Sequence, residues 1–309
     1  MSETNTRNRE PLRYGMQLPV QAQSTYFVEE WESDAGALEL AAVSRACDES
    51  GFDYVAVCDH VAIPRANATT MNTTWYDTVA TLSWLAARTD NVRLLSHVFV
   101  PAYRHPLQTA KAFSTLDALS GGRAILGIGA GHVESEFELL GLSFADRGNT
   151  TDAAIDQIRV AFADEWGAGD FAQRPRPIQP GGPPIWIGGS SPAAIRRAAE
   201  RGDGWLPQGT LKKDMPAAIA RLEELRAAAG RGGSFTVGAI APFLYVGDAA
   251  WETGKGCLAG EPSKLAAYLR GYAEMGVDQV QVRFRSRTCD ELCDQIRAFA
   301  ADVAPLIKG

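Results

Sequence analysis

The sequence has few of the residues that build metal centres and disulfide frameworks. It contains four histidines and five cysteines in 309 residues. The histidines form no HxH or HExxH pair, and the cysteines form no close-spaced pair of the zinc-knuckle type. Zinc sites are normally built from such pairs, and an odd number of cysteines does not fit a framework of disulfides. We therefore expect no metal site, which disfavours a metallohydrolase.

An excess of basic charge and long apolar runs are also lacking. The formal net charge is −7, which argues against binding to nucleic acid or to an anionic membrane surface. No apolar run approaches the roughly 20 residues of a membrane-spanning helix, and nothing near the N-terminus resembles a signal peptide. With 46% hydrophobic and 22% charged residues, the sequence is typical of a globular protein. We expect it to be cytoplasmic and to act on a small molecule.

Eight β-rich segments alternate with segments whose apolar residues recur every three or four positions, which is the spacing of a helix. The predicted strands are 14–19, 53–58, 92–100, 123–128, 184–188, 204–207, 235–246 and 279–285. This alternation predicts a parallel sheet, and eight units predict closure into a (β/α)8 barrel, the TIM barrel. Pro192 and Pro262 stand where helices should begin, and Gly276 stands where one should end.

The barrel is expected to form a single domain over residues 13–309, after a loose polar leader at residues 1–12. Two segments interrupt the repeat: residues 59–76 follow strand two, and residues 165–183 precede strand five. Because barrel chemistry is placed at the carboxyl ends of the strands, we interpret both as insertions at the active-site face. We also expect residues 251–260 to shape the substrate pocket.

Polar residues at the ends of strands two and three are candidates for chemistry. Asp59 and His60 end strand two, where an acid beside an imidazole can exchange a proton near neutral pH. The alternative is that Asp59 caps a turn and His60 merely packs. Ser96 and His97 lie in an otherwise apolar strand three. They indicate either a bulge that supports a planar ligand or a core histidine bonded to a backbone carbonyl.

Glycine-rich turns follow strands four and five. The turn at 127–131 leads into His132 and lets a flat ligand approach the backbone closely. The residues before Pro192 suit a phosphate, since free N–H groups and the helix dipole meet there. They are Gly188, Gly189, Ser190 and Ser191. The alternative is an ordinary well-capped helix, with Arg196 and Arg197 on its solvated face.

Strand eight alternates so that Arg283 and Arg285 share the face opposite to its apolar residues. Because the apolar face must pack on helices, we expect both arginines to point into the barrel or its mouth. Buried arginine demands an anionic partner, which is either an internal carboxylate or an acidic group on a substrate or cofactor. Gln17 in strand one is a further candidate substrate contact.

Four segments, taken in their order and spacing, resemble the bacterial-luciferase-like family of flavin or deazaflavin oxidoreductases. They are GFDYVAVCDH at 51–60, PAYRHPLQTAKAFSTLDALSGGRAILGIGAGHVESEFELLG at 101–141, FADRG at 144–148 and PPIWIGGSSPAAIRRAAERGDGW at 183–205. The resemblance covers about residues 13–305 and is greatest to the branch that uses coenzyme F420, with FMN as the alternative cofactor. It implies a luciferase-like TIM barrel with insertions at the carboxyl-terminal face.

The resemblance also implies roles for the candidate residues. Asp59 and His60 would lie beside the reactive centre of the ring, with His60 as acid/base. The backbone behind the ring would come from a bulge that often carries a non-prolyl cis peptide, at Ser96, His97 and Val98. The ring's other edge would be lined by Ala130, Gly131 and His132. Some members carry a glutamate proton donor where this chain has His132, so the second acid/base is open. The phosphate would be held at 188–191.

The predicted function is hydride transfer between coenzyme F420 and a small organic substrate, in an enzyme that the resemblance implies is a homodimer. One alternative is an FMN-dependent monooxygenase supplied with reduced flavin by a separate flavin reductase. Another is a non-catalytic barrel that only binds the cofactor. The two cofactors imply different reaction classes on one scaffold, so the fold alone does not choose between them.

Overall fold

A closed parallel barrel of eight strands forms the centre of the protein. The computed structural model describes residues 11–22, 24–25 and 27–308. Its strands are β1 Arg13–Gln17, β2 Tyr54–Val57, β3 Arg93–Ser96, β4 Ala124–Ile128, β5 Ile185–Gly188, β6 Gly204–Leu206, β7 Thr236–Val246, β8 Cys257–Gly260 and β9 Gln279–Phe284. Strands β1 to β7 pair in chain order, and β9 pairs with both β7 and β1 and so closes the barrel. The predicted (β/α)8 fold is confirmed.

Helices surround the barrel. They are α1 Ala37–Glu49, α2 Ala68–Met71, α3 Thr78–Ala86, α4 Pro106–Leu119, α5 Glu134–Leu139, α6 Arg147–Ala163, α7 Pro192–Arg201, α8 Met215–Ala228, α9 Pro262–Glu274, α10 Cys289–Ala298 and α11 Ala304–Lys308. Pro192 and Pro262 begin α7 and α9, as predicted. In the ranges that the structure covers, no helix combines the length and the apolar character needed to cross a membrane.

Two expectations about the chain between these elements are wrong. Residues 165–183 join α6 to β5, and a connection from a helix into a strand enters at the amino-terminal end of the barrel, away from the active-site face. Residues 257–260 form β8, a short ninth strand that pairs beside β7 outside the closed barrel. Residues 1–10 of the expected leader lie outside the described residues.

Side chains fill the lower part of the barrel interior. Among them is an apolar plug whose members are Tyr54, Ala56, Leu95, Ile125, Trp186 and Leu206. The Tyr54 and Trp186 rings meet edge to face at 5.6 Å between centroids. Gly15 makes room for this plug, because a Cβ at that position would overlap the Tyr54 ring. Since successive residues of a strand alternate between faces, the next inward side chains lie above the plug and face the open end.

Candidate active site

A cavity of about 580 Å³ opens above the plug at the carboxyl ends of the strands, which is the size of a small-molecule site. Its floor is made by the upper layer of inward residues, which are Gln17, Cys58, His97, Gly129, Gly188 and Arg283. The loops after β1 and β2 form one wall and are joined by a bridge between Ala22 and Trp75. The insertion at 59–76 therefore lies where we expected it. Among the described residues that line the cavity, none belongs to 165–183 or 251–260.

The expected bulge is present at the end of β3. Leu95 pairs with Ile125, whereas the next bridge joins Phe99 to Ile128, so β3 contains one more residue than β4 over this stretch. The peptide bond between His97 and Val98 is cis. The bulge places Val98 on the cavity wall.

Val98 occupies space that two glycines leave free. A Cβ at Gly129 would overlap one methyl group of Val98, and a Cβ at Gly188 would overlap the other. Gly129 follows β4 and Gly188 ends β5, so three strand ends meet at Val98. The glycines at these two positions therefore have a steric role, which is to leave room for an apolar side chain at this point.

His60 is held by a buried glutamate. Nδ1 of His60 lies 2.8 Å from Oε2 of Glu136, a residue of α5 that is only 1% exposed. Oε1 of Glu136 accepts the backbone N–H groups of Val61 at 2.8 Å and Ala62 at 3.2 Å. The Tyr103 hydroxyl donates to Oε2 at 3.2 Å. The carboxylate thus fixes both the imidazole ring and the turn that carries it.

The charge on Glu136 sets the tautomer of His60. Burial raises the pKa of Glu136, but the hydrogen bond from His60, its charge and the backbone N–H groups of Val61 and Ala62 outweigh burial, so the pKa lies below its usual value. An ionised carboxylate only accepts hydrogen bonds, so Nδ1 of His60 must carry a proton. Nε2 then remains for the cavity, where His60 is part of the lining and Nε2 makes no hydrogen bond to the described residues. This is how a carboxylate orients a catalytic imidazole.

His132 lies next to His60 on the cavity wall, with 5.7 Å between ring centroids. Burial lowers the pKa of His132, and the charge of His60 lowers it further. His132 is therefore neutral near pH 7. The Trp75 ring approaches His60 from another side, at 4.3 Å between centroids, and shields the imidazole from solvent.

Both oxygens of Asp59 are occupied by an ion pair. Arg104 donates to Oδ2 at 2.7 Å and to Oδ1 at 2.8 Å, and the backbone N–H of Val100 donates to Oδ2 at 2.9 Å. The arginine also stacks over the Phe99 ring at 4.3 Å. This geometry ties the end of β2 to the loop after β3. It suits Asp59 to positioning His60, and not to exchanging a proton as the sequence interpretation assumed.

His97 satisfies one ring nitrogen through the backbone, because Nε2 lies 3.2 Å from the Leu206 carbonyl oxygen. Its Nδ1 is buried and has no hydrogen-bond partner in the described structure. Burial lowers the pKa of His97 from 6.5 to about 4. The ring is thus a neutral element of the floor.

The low pKa of His97 predicts acid sensitivity. The unfolded chain takes up the proton near pH 6.5, whereas the folded protein does so only near pH 4, so acid favours unfolding across this window. We expect the free energy of unfolding to fall by as much as about 3 kcal/mol as the pH decreases from 6.5 to 4. Urea unfolding of the parent and of His97→Gln measures this. Equal losses of stability in both proteins would show that His97 is not responsible.

The helix terminus after β5 faces the cavity with Gly188, Gly189 and Ser191. The Ser191 hydroxyl caps α7 by accepting the Ala194 N–H at 3.2 Å. The Ser190 hydroxyl donates to the Gln208 carbonyl oxygen and accepts a hydrogen bond from Thr210. Both hydroxyls are thus engaged within the protein. The groups near this turn that suit an anion are therefore its backbone N–H groups and the arginines beside it.

Two arginines reach this end of the cavity. Arg147, at the start of α6, stacks over the Phe144 ring at 3.8 Å and lines the cavity. Across the described chain the only hydrogen bond of its side chain is to the Phe144 carbonyl oxygen, at 2.8 Å. Arg197 is buried and paired with Asp152, and donates to the Gly148 carbonyl oxygen at 3.0 Å. The expectation of a solvated face is correct for Arg196 and wrong for Arg197.

The arginines of strand eight have separate environments. Arg283 lines the cavity. Arg285 lies beyond the end of β9 and pairs with Glu29 at 2.8 Å, and its Nε donates to the Thr253 carbonyl oxygen at 3.1 Å. Arg285 is absent from the lining of the described cavity. The internal-carboxylate alternative thus applies to Arg285. Gln17 joins Arg283 on the floor, in β1.

Sequence reasoning missed three residues that organise the site: Glu136, Arg104 and Arg147. Glu136 was visible only as an acidic residue near a helix start. Arg104 lies in the segment after β3 and Arg147 lies in FADRG, so their positions relative to strand ends were the available signal. What the sequence did not show was that Arg104 meets Asp59 and that Glu136 meets His60.

The chain is similar to a known family of proteins and to individual members of known function. Residues 14–254 match the family described as luciferase-like monooxygenase. The 5,10-methylenetetrahydromethanopterin reductase of Methanolobus tindarius is 31% identical over 212 residues, which are 67% of this chain and 61% of the reductase.

Solved structures share the fold at low sequence identity. The coenzyme F420-dependent tetrahydromethanopterin reductase of Methanopyrus kandleri superposes with a TM-score of 0.71 at 21% identity, over 97% of this chain and all of that one (100%). A riboflavin lyase with modified FMN and riboflavin superposes with a TM-score of 0.78 at 13% identity, over 97% of this chain and 92% of that one.

Proposed function

Because this chain belongs to the luciferase-like monooxygenase family, we propose that it is an oxidoreductase that transfers a hydride between coenzyme F420 and a small organic substrate. The observation that carries the proposal is the pair of His60 and Glu136, which presents one oriented imidazole nitrogen to a cavity whose other end is formed by the N-terminus of α7. The similarity to two methanopterin reductases, one of them F420-dependent, supports this cofactor.

The residues of the cavity fit a planar ring with a phosphate-bearing tail. Val98, set into the space left by Gly129 and Gly188, gives the ring a flat apolar support. The turn of Gly188 to Ser191 and the guanidinium of Arg147 suit the phosphate, because Arg147 has no carboxylate partner within the described chain. The helix dipole of α7 adds to this attraction.

When bound, the deazaflavin supplies a carbon that carries the hydride. The protein must then orient the substrate, exclude water and manage one proton. His60 holds or releases that proton at Nε2, while Glu136 keeps Nδ1 protonated and stabilises the charged ring. Asp59 and Arg104 fix the strand end that carries His60. Trp75 limits the access of water to the imidazole.

The cofactor choice is tested by titrating the purified protein with oxidised F420 and, separately, with FMN, following fluorescence. Tight binding of F420 and weak binding of FMN support hydride transfer and direct the search for substrates to ketones, alcohols, imines and activated alkenes. The reverse order supports the FMN-dependent monooxygenase, a candidate favoured by the likeness to an FMN-containing structure. Oxygen consumption with reduced FMN then identifies that reaction. If a cofactor binds but none of these substrates is converted, the result supports a non-catalytic barrel.

Substitution at Gly189 tests the phosphate position. Gly189 has a φ of +90°, a conformation that a β-branched residue adopts only with strain of about 1–3 kcal/mol. We expect Gly189→Val to weaken F420 binding by about tenfold and to leave the affinity for a phosphate-free deazaflavin fragment unchanged. Fluorescence titration with both ligands measures the two effects. An equal loss with both ligands would place the phosphate elsewhere.

A further inference from the structure

The floor of the cavity contains an arginine whose hydrogen-bonding capacity is unused. No guanidinium nitrogen of Arg283 bonds to the described residues, and its Nε is completely buried without a partner. The guanidinium stacks over the Phe27 ring at 4.1 Å. Arginine remains protonated in proteins, so this is a fixed positive charge with free donors. Buried donors are normally satisfied, and an exception that lines a cavity is in a position to bond to a ligand there.

The charged and titratable neighbours of Arg283 do not accept a hydrogen bond from its guanidinium. Burial raises the pKa of the Cys58 thiol to about 11, so the thiol is neutral. The charge of Glu32 attracts Arg283, but the two side chains form none of the ion pairs within 4 Å among the described residues. The two carboxylate oxygens of Glu32 accept the backbone N–H groups of Val20 and Glu29. Arg285 differs in this respect, because it forms an ion pair with Glu29 at 2.8 Å.

Gln17 supplies an unused acceptor beside this donor. Met16 pairs with Val282, so the next residues of β1 and β9, Gln17 and Arg283, lie side by side on the floor. Gln17 is 7% exposed and its Oε1 has no partner within the described structure. Its Nε2 is engaged by the Ala56 carbonyl oxygen at 3.3 Å and by Sγ of Cys58 at 3.2 Å.

The position of this pair separates it from the phosphate end. In the barrel order, β9 and β1 lie opposite β4 and β5. The helix terminus of α7 and Arg147 follow β5 and β4, and His60 follows β2, beside the Arg283 side of the barrel. A cofactor anchored by its phosphate at one end thus leaves Arg283 and Gln17 free for a second molecule.

We propose that Arg283 and Gln17 form the substrate-binding end of the cavity, an inference that rests on the proposed function. The ligand is a small carboxylic acid that carries a hydroxyl group next to its carboxylate. The free edge of the guanidinium matches a carboxylate through two parallel N–H···O hydrogen bonds. The neighbouring hydroxyl donates to Oε1 of Gln17. A ligand of this kind satisfies the orphaned donor and the orphaned acceptor together.

The test is calorimetric titration of the parent with mandelate and with its neutral amide, mandelamide, in the presence of F420. We expect mandelate to bind at least tenfold more tightly than mandelamide, and Arg283→Gln to abolish that preference. Arg285→Gln, two residues further along the chain and already paired with Glu29, is the matched control and should retain the preference. Phenylacetate lacks the hydroxyl, and Gln17→Leu should make mandelate bind no better than phenylacetate.

Equal affinity for acid and amide in the parent, or a preference that survives in Arg283→Gln, overturns the carboxylate site. Failure of the proposed function is measured apart from this, by F420 fluorescence on the same samples. If the acid preference depends on Arg283 while F420 does not bind, the acid site stands and the cofactor assignment fails. If F420 binds and no preference exists, the acid site fails alone.

Discussion

His60→Ala is expected to bind F420 as tightly as the parent and to lose roughly 10²- to 10⁴-fold in turnover, the range for removing a general acid or base. The reason is geometric. Nδ1 of His60 is fixed by Glu136 at 2.8 Å, so Nε2 is held in one orientation at the cavity, and an alanine leaves no proton carrier there. Steady-state kinetics with whichever member of the substrate panel the parent converts, together with F420 titration, measures both quantities.

Two matched variants separate His60 from its neighbours. His132→Gln should lose less activity than His60→Ala, because no carboxylate orients His132 in the described site. Glu136→Gln keeps the shape of the side chain but removes the carboxylate oxygen that accepts the Nδ1 proton of His60, so turnover should fall. If His132→Gln loses more activity than His60→Ala, the second histidine is the proton carrier. If His60→Ala turns over at the parent rate, His60 has no part in the reaction.

Arg104→Ala is expected to lower the free energy of unfolding by about 3 kcal/mol. The side chain of Asp59 is 1% exposed and that of Arg104 is 24% exposed. Removing one partner of a buried pair costs about 3–5 kcal/mol, because the other charge stays buried without compensation. The partial exposure of Arg104 lets water reach the carboxylate and places the effect at the lower end. Urea denaturation of the parent and of the variant measures the difference.

The double variant with Asp59→Asn distinguishes charge from packing. Once the carboxylate is an amide, loss of Arg104 leaves no buried charge, so the double variant should be more stable than Arg104→Ala alone. If it is less stable by the sum of the two single effects, the ion pair contributes nothing beyond its separate side chains. The stacking of Arg104 on Phe99 would then account for the loss.

Alternation along a strand was the most reliable guide that the sequence offered. Val280, Val282 and Phe284 lie in the outer core and Arg283 faces the cavity, as the period of two predicts. The same rule failed for Arg285 because β9 ends at Phe284. Beyond a strand end no pleat fixes the side-chain direction, and Arg285 turns instead toward Glu29.

The sequence was a poorer guide to the hydrogen-bond partners of the candidate residues. Glu136 and His60 are 76 residues apart in sequence and meet only because α5 folds back over the loop after β2. Nothing local to either residue specifies that meeting. Asp59 and Arg104 present the same case, with 45 residues between them.

The sequence contained enough information to predict correctly at which end of the barrel residues 165–183 lie. Chain order alone states that a segment between a helix and the next strand lies at the amino-terminal end of a barrel. Length and proline content drew attention to this segment, but neither property reports which end it occupies. The ninth strand had no such signal, because β8 has only four residues, all of them half-buried.

The contact of Val98 with Gly129 and Gly188 makes these three positions share one fixed volume. Evolution can enlarge a side chain at 129 or 188 only by reducing the one at 98, so the three sites should drift together and not one at a time. A single engineered alanine at either glycine therefore overlaps a methyl group of Val98, and a paired change with Val98→Ala removes that overlap. Any redesign of the cavity wall at Val98 must therefore change these three positions together.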